Sequence, residues 1–192
     1  MLPLSIIGWD QQITLWLNSF HTPLTDSVWM LFSNTRIWFA AYFAVMVMLI
    51  LRLGWKKGLT VVVGIILTIV LSDQLSSLVK DTVMRLRPCY TTLMLDGGLN
   101  WPLNRPNFFG FFSSHASNCF AFALTSWLGF RAGGGKCRIY GFCVFIWAAL
   151  VALSRVMMGA HYFGDILVGT LFGLALGLMM AGLTRAVLKK LD

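Results

Sequence analysis

Within "SRVMMGAHYFGD", residues 154–165, Arg155, His161 and Asp165 interrupt a chain that is apolar on both sides. His161 and Asp165 are four residues apart, so a helix makes them neighbours on one face. An Asp that accepts from one imidazole nitrogen fixes the tautomer, leaves the other nitrogen free to act, and stabilises positive charge developing on the ring. Such a pair can also serve only to tie one helix to its neighbour, but ionisable groups in so apolar a setting mark function by default. A second group lies in "KDTVMRLRP", where Lys80 and Arg87 sit two helical turns apart on nearly one face and Pro88 stops the helix. Cations so placed suit an anion, or snorkelling to a lipid interface; Arg85, off the shared face, fits snorkelling better.

A third group is "FFSSHASNCF", in which Ser113 or Ser114 caps an apolar span and His115 follows at once. A helix start offers unbonded N–H groups and the positive end of a dipole, which together suit phosphate. An ordinary serine cap beside an incidental histidine explains the same residues. His115, His161 and Asp165 also make a possible set of three metal ligands. Against this, Lys80, Arg87 and Arg155 load the same region with positive charge, which repels a divalent ion and attracts phosphate. No metal and no cofactor is expected.

The elements that position these groups follow from composition. Of the 192 residues 58% are hydrophobic and 11% charged, and the mean hydropathy is +0.77; all seven acids are Asp. Several runs approach the ~20 apolar residues needed to cross a bilayer. The expectation is an all-α, polytopic membrane bundle forming one domain over residues 1–192, with an interfacial segment at 1–35 and a helical core at 36–192. Apolar Ile13, Trp16, Leu17 and Phe20 fall at i, i+3, i+4 and i+7, which predicts a helix lying in the interface. A short helix is expected after Thr22 as cap, with Pro23 at its first position. Five spans are expected near 36–53, 59–79, 114–130, 138–158 and 162–185, with a long aromatic loop at 88–113.

Net charge is +8, but Lys and Arg sit in short clusters between apolar spans, so membrane orientation and not nucleic acid explains it. Arg52, Lys56 and Lys57, then Arg131, Lys136 and Arg138, then Arg185, Lys189 and Lys190 all fall on one side of a five-span chain. The positive-inside rule makes that side cytoplasmic, with the C-terminus. The 88–113 loop and the turn holding Arg155 and His161 are then outside, as are Arg36, Lys80, Arg85, Arg87 and Arg105. Cations held against the orientation bias suggest an anionic ligand. The start of the chain has no basic n-region and carries Asp10, so no cleavable signal peptide is expected. Asp73, on the face of Lys80, is expected to be a structural hydrogen-bonding or charge-balancing group, and Gly169, Gly173 and Gly177, spaced by four after Asp165, to let the last helix approach a neighbour closely.

In order, the chain presents Lys80 with six residues before Arg87-Pro88, then Ser113-Ser114-His115, then Ser154-Arg155 followed by Gly159, His161 and Asp165. These resemble the type 2 phosphatidic acid phosphatase family, whose signatures are KxxxxxxRP, PSGH and SRxxxGxHxxxD. The first and third match at every defined position; in the second, Phe112 replaces Pro and Ser114 replaces Gly. The resemblance covers residues 60–185 and implies a membrane lipid phosphatase that needs no metal. It implies that His161 attacks phosphorus, with Asp165 orienting it, and that His115 serves as acid and then base. Lys80, Arg87 and Arg155 would bind phosphoryl oxygens, completed by Ser113 and the Ser114 N–H.

The implied substrates are a polyprenyl diphosphate, phosphatidic acid or phosphatidylglycerophosphate, or a lipid A phosphate, in a bacterial inner membrane with the site facing out. The 88–113 loop, with Trp101, Arg105, Phe108, Phe109 and Phe111, is where head-group preference is expected. The rival function is a carrier or flippase for an anionic phospholipid, which needs cations but no nucleophile; a non-catalytic lipid-phosphate-binding member is a third.

Overall fold

A computed structural model describes residues 5–102, 106–134 and 136–191. Among the described residues eight α-helices follow one another: α1 (Ile6–Asn18), α2 (Pro23–Ser33), α3 (Phe39–Leu53), α4 (Trp55–Val83), the short α5 (Thr92–Asp96), α6 (Ser114–Ala132), α7 (Arg138–Met157) and α8 (Phe163–Leu188). Thr22 caps α2 with its side chain on the Thr25 amide, and Pro23 takes the first helical position, where no N–H is needed. No strand forms among the described residues. The stretches 35–53, 55–83, 138–157 and 163–188 are each long and apolar enough to cross a membrane. Their outward residues, Leu67 and Leu78 on α4, Phe142 on α7, and Leu171 and Leu178 on α8, are exposed apolar groups of the kind lipid covers.

The helix α6, expected as a fifth apolar span, is more polar than the other four because it carries Ser117, Asn118, Thr125 and Ser126. It takes the middle of the bundle, packed on α8, α4 and α7, so its neighbours are helices and its hydroxyls find partners there. Ser72 of α4 donates to Ser117 Oγ at 2.9 Å, and Tyr140 of α7 donates to Ser126 Oγ at 2.7 Å. Leu49, Ile65, Phe122, Ala148 and Val151 fill the core between α3, α4, α6 and α7.

The spaced glycines of α8 act as expected, and α6 is what they approach. A Cβ at Gly169 would lie 2.6 Å from the Ser113 carbonyl oxygen, and one at Gly173 would overlap the Ser117 backbone. Contact this close sets the start of α6, and with it His115, against the start of α8, and with it Asp165. Gly173→Val is therefore expected to force the two helices apart, costing ~1–3 kcal/mol. Its check is a lower melting temperature in detergent accompanied by loss of activity.

The helix α1 forms as expected but is turned inside out relative to a soluble amphipathic helix. Its polar Thr14 and Asn18 are buried, and Trp9 and Trp16 are exposed. Lipid accepts the aromatic face, while the polar stripe finds partners only in protein. Asn18 Nδ2 donates to the carbonyls of Asn100, Val156 and Met157 at 2.9–3.1 Å, which satisfies carbonyls at the end of α7.

The connection after α4 is ordered around Arg87. An isolated antiparallel bridge pairs Leu86 with Phe109, with Arg87 N on Phe108 O at 3.0 Å and Gly110 N on Arg85 O at 2.9 Å. The 88–113 loop thus folds back over the strand-like segment that carries both arginines.

Candidate active site

His161 stands in the turn between α7 and α8. That turn needs Gly159, whose φ is +65° and whose Cβ, if present, would sit 2.8 Å from Asn100 O and from Trp101 Cβ. The amides of Ala160 and His161 both return to Arg155 O, at 2.9 and 3.1 Å, and fix the ring's approach. His161 is 1% exposed and Asp165 is 0% exposed. Arg87 Nη1 lies 2.8 Å from His161 Nε2. Arginine only donates, so Nε2 is the lone-pair nitrogen and Nδ1 carries the proton. Nδ1 faces Asp165 Oδ2 at 3.4 Å, and the same oxygen accepts the Tyr162 N–H at 3.0 Å. Burial first, and then the positive charges of Arg87, Arg155 and Lys80, hold the His161 pKa well below the ordinary histidine value. The ring is consequently neutral at physiological pH, with the lone pair on Nε2.

Lys80, on the last turn of α4, donates to Ser114 Oγ at 2.8 Å. Ser113 is the N-cap of α6: its Oγ accepts from Ala116 N at 3.5 Å, and its own N–H goes to Asp165 O at 3.1 Å. Its hydroxyl proton remains a donor. His115, one residue into the helix, places Nε2 3.2 Å from Thr35 Oγ1 and lies in the field of Arg155, His161, Lys80 and Arg87. Arg155, on the last turn of α7, is 7% exposed and donates through Nη1 to Ser33 Oγ. Its Nε is buried without a hydrogen-bond partner among the described residues. A buried guanidinium N–H left unsatisfied is costly, and an anion is the group that would satisfy it.

Every residue expected to act on phosphate from the three motifs is thus gathered around one buried imidazole: Lys80, Arg87, Ser113, Ser114, His115, Arg155, His161 and Asp165. Arg105 lies outside the described residues. Asp73 accepts from Asn118 Nδ2 at 3.3 Å and also acts on the charge of Lys80. Arg85 does not snorkel to the lipid interface as its position off the shared face suggests. It is half-buried, with Nη1 on Asp165 Oδ1 at 2.7 Å, Nη2 on Asp10 Oδ2 at 2.6 Å, and its guanidinium 4.0 Å from the centre of the Tyr162 ring. Arg85 leaves the α4 face because Met84 ends that helix in a left-handed conformation, with φ 49°. Ser33, Thr35 and Asp10 were likewise not among the expected site residues. Their sequence signal is faint: Asp10, Thr14 and Asn18 recur every four residues as a polar stripe on an otherwise apolar helix.

Residues 57–188 match the PAP2 superfamily. The chain belongs to that family. A lipid A 4'-phosphatase of Bacteroides thetaiotaomicron is 32% identical over 167 residues, covering 85% of this chain and 72% of the relative. Another from Porphyromonas gingivalis is 29% identical over 173 residues, covering 90% and 71%. The fold is shared with the PAP2-type phosphatidylglycerolphosphate phosphatase of Bacillus subtilis, at a TM-score of 0.77, 18% identity and coverage of 96% and 89%. Aquifex aeolicus LpxE aligns at 0.65, with 23% identity and coverage of 88% and 92%. As a PAP2 member with these relatives the chain is a membrane lipid phosphatase, and a carrier or flippase is not favoured.

Proposed function

We propose that this PAP2 protein hydrolyses a phosphate monoester on a lipid A-type head group through a phosphohistidine on His161. The observation that carries the mechanism is the lone-pair Nε2 of His161, buried beside Arg87 and in the field of Arg155, whose own Nε is unsatisfied among the described residues. When a phosphoryl group enters, its oxygens take the donors of Lys80, Arg87 and Arg155, which frees Nε2 for in-line attack on phosphorus. The N–P bond forms as the P–O bond to the lipid breaks, and His115, which can take up a proton once the phosphoryl anion offsets the surrounding cations, gives that proton to the departing lipid oxygen. Asp165 stabilises the charge that develops on the His161 ring. A water then enters, His115 takes one of its protons, and the hydroxyl oxygen attacks phosphorus. The N–P bond breaks, inorganic phosphate leaves, and His161 is neutral again.

The two lipid A 4'-phosphatases among the relatives support the choice of head group. The site is at the outer face of a bacterial inner membrane with the C-terminus cytoplasmic. Supporting that orientation, Lys57, Arg131, Arg185 and Lys189 gather around one cavity, ~35 Å along α4 from Lys80 at 1.5 Å per residue. Phe108, exposed and leaning on Tyr90 with ring centres 4.7 Å apart, is placed to meet the head group from the folded-back loop.

The test presents purified protein in detergent with lipid A 4'-phosphate, undecaprenyl diphosphate and phosphatidylglycerophosphate, each in excess EDTA. Phosphate release is expected fastest from lipid A and undiminished by the chelator. Release restricted to another lipid refutes the substrate, and activity that returns only with added divalent metal refutes the phosphohistidine route.

A further inference from the structure

We propose that Asp10 and Arg85 are positioning residues for the His161–Asp165 pair, so that α1, which lies before the family-matched residues, completes the support of the nucleophile. This rests on His161 being the nucleophile.

The chain of contacts is continuous. Asp10 Oδ2 accepts from Arg85 Nη2 at 2.6 Å, Arg85 Nη1 donates to Asp165 Oδ1 at 2.7 Å, and Asp165 Oδ2 faces His161 Nδ1 at 3.4 Å. Asp165 therefore divides its two oxygens: one is held by Arg85, and the other meets the catalytic ring and the Tyr162 amide. Without Arg85 the carboxylate would keep, among the described residues, the backbone N–H of Tyr162 and the very ring it has to orient. Arg85 itself reaches Asp165 from a loop, and what holds it in place is Asp10 on one side and the Tyr162 ring beneath it.

The helix α1 is locked to the start of α8 by two further bonds. Gly164 N donates to Asp10 Oδ1 at 2.6 Å, and Phe163 N donates to Thr14 Oγ1 at 2.9 Å. These side chains satisfy first-turn amides that α8 cannot satisfy internally. Space for a substitute is absent, since a Cβ at Gly164 would lie 2.9 Å from Asp10 Oδ2. Thus one carboxylate both caps the helix that carries Asp165 and anchors the arginine that orients it. The charged groups facing the pair are Arg87 and Arg85 from the loop after α4, Lys80 from α4, Arg155 from α7, Asp10 from α1 and His115 from α6.

Asp10→Asn separates the two roles. Its amide oxygen still accepts from Gly164 N, but its NH₂ meets Arg85 with donor against donor. In full-length protein in detergent, Asp10→Asn is expected to lower kcat about 10-fold, the low end for loss of a partner that orients an active histidine, with KM within about two-fold. Asp10→Glu restores most of it. Arg85→Met falls by at least as much, and the Asp10→Asn/Arg85→Met double variant is no slower than Arg85→Met, because the two act in series. Thr14→Val, which removes the other tie between α1 and α8, lowers the melting temperature and leaves kcat in place. The proposal is overturned if Asp10→Asn retains full kcat, if its loss tracks melting temperature without rescue by Glu, or if the double variant is additive. A His161→Ala control that stays active would instead refute the nucleophile assignment.

Discussion

His161→Ala is expected to reduce phosphate release from a lipid phosphate by at least about 10⁴-fold, because removing a covalent nucleophile eliminates the route and not merely a contact. The contrast that gives this result meaning is His115→Ala. That variant keeps Nε2 and its donor shell but lacks the proton for the leaving lipid oxygen and the base for water, a loss of about 10²–10⁴-fold. With an aryl phosphate, whose leaving group needs no proton, the first step survives in His115→Ala and the second does not. Acid-labile, alkali-stable phosphoenzyme should then accumulate, and none should form in His161→Ala. Labelled phosphoenzyme in the His161 variant would place the nucleophile elsewhere. The pH profile adds a sign. Burial, reinforced by Arg87, Arg155 and Lys80, holds the folded ring's pKa well below 6.5, so the neutral form that attacks persists as pH falls through 6.5. The limb of kcat/KM that reports His161 therefore lies below that pH. In the unfolded chain the ring takes up its proton near pH ~6.5, so what its neutrality contributes to stability is complete above that pH and declines below it.

The spans and the eight motif residues were legible because each rests on a local rule. Apolar length gives the helices, Pro88 ends one and starts a turn, and a serine caps another. Residue spacing on α8 showed that a close helix contact must exist, though not that α6 supplies the Ser113 and Ser117 backbones for it. What escaped was long-range. Arg85 looked like an interfacial cation because it is off the face shared by Lys80 and Arg87, and that face stops mattering once Met84 breaks the helix. Asp10 and Thr14 are unremarkable until α8 presents them with bare amides. The apolar stripe on α1 suggested a helix, and one forms there, but in lipid the informative face is the polar one, and only the fold shows what it touches.

Arg155→Met is expected to lower kcat by about 10²–10³-fold, the usual scale for losing one donor to developing transition-state charge, while raising the melting temperature of the unliganded protein. The two effects have one cause. Lys80, Arg87 and Arg155 share a buried region in which Asp165 is already engaged by Arg85, and Arg155 itself has no acidic partner among the described residues. Burying charge without a counter-ion costs several kcal/mol, and a hydrophobic replacement of similar volume recovers part of it. The wild-type site is thus destabilised until an anion arrives. Vanadate should raise the wild-type melting temperature in proportion to ln(1 + [L]/Kd) and raise that of Arg155→Met much less. Arg155→Lys separates charge from shape: an ammonium keeps the repulsion but lacks the planar fork that reaches Ser33 and a phosphoryl oxygen together. That variant should be as slow as the methionine one and no more stable than wild type. A lysine variant with wild-type kcat would show that charge alone suffices, and the orphaned Nε would then have no part in binding phosphate.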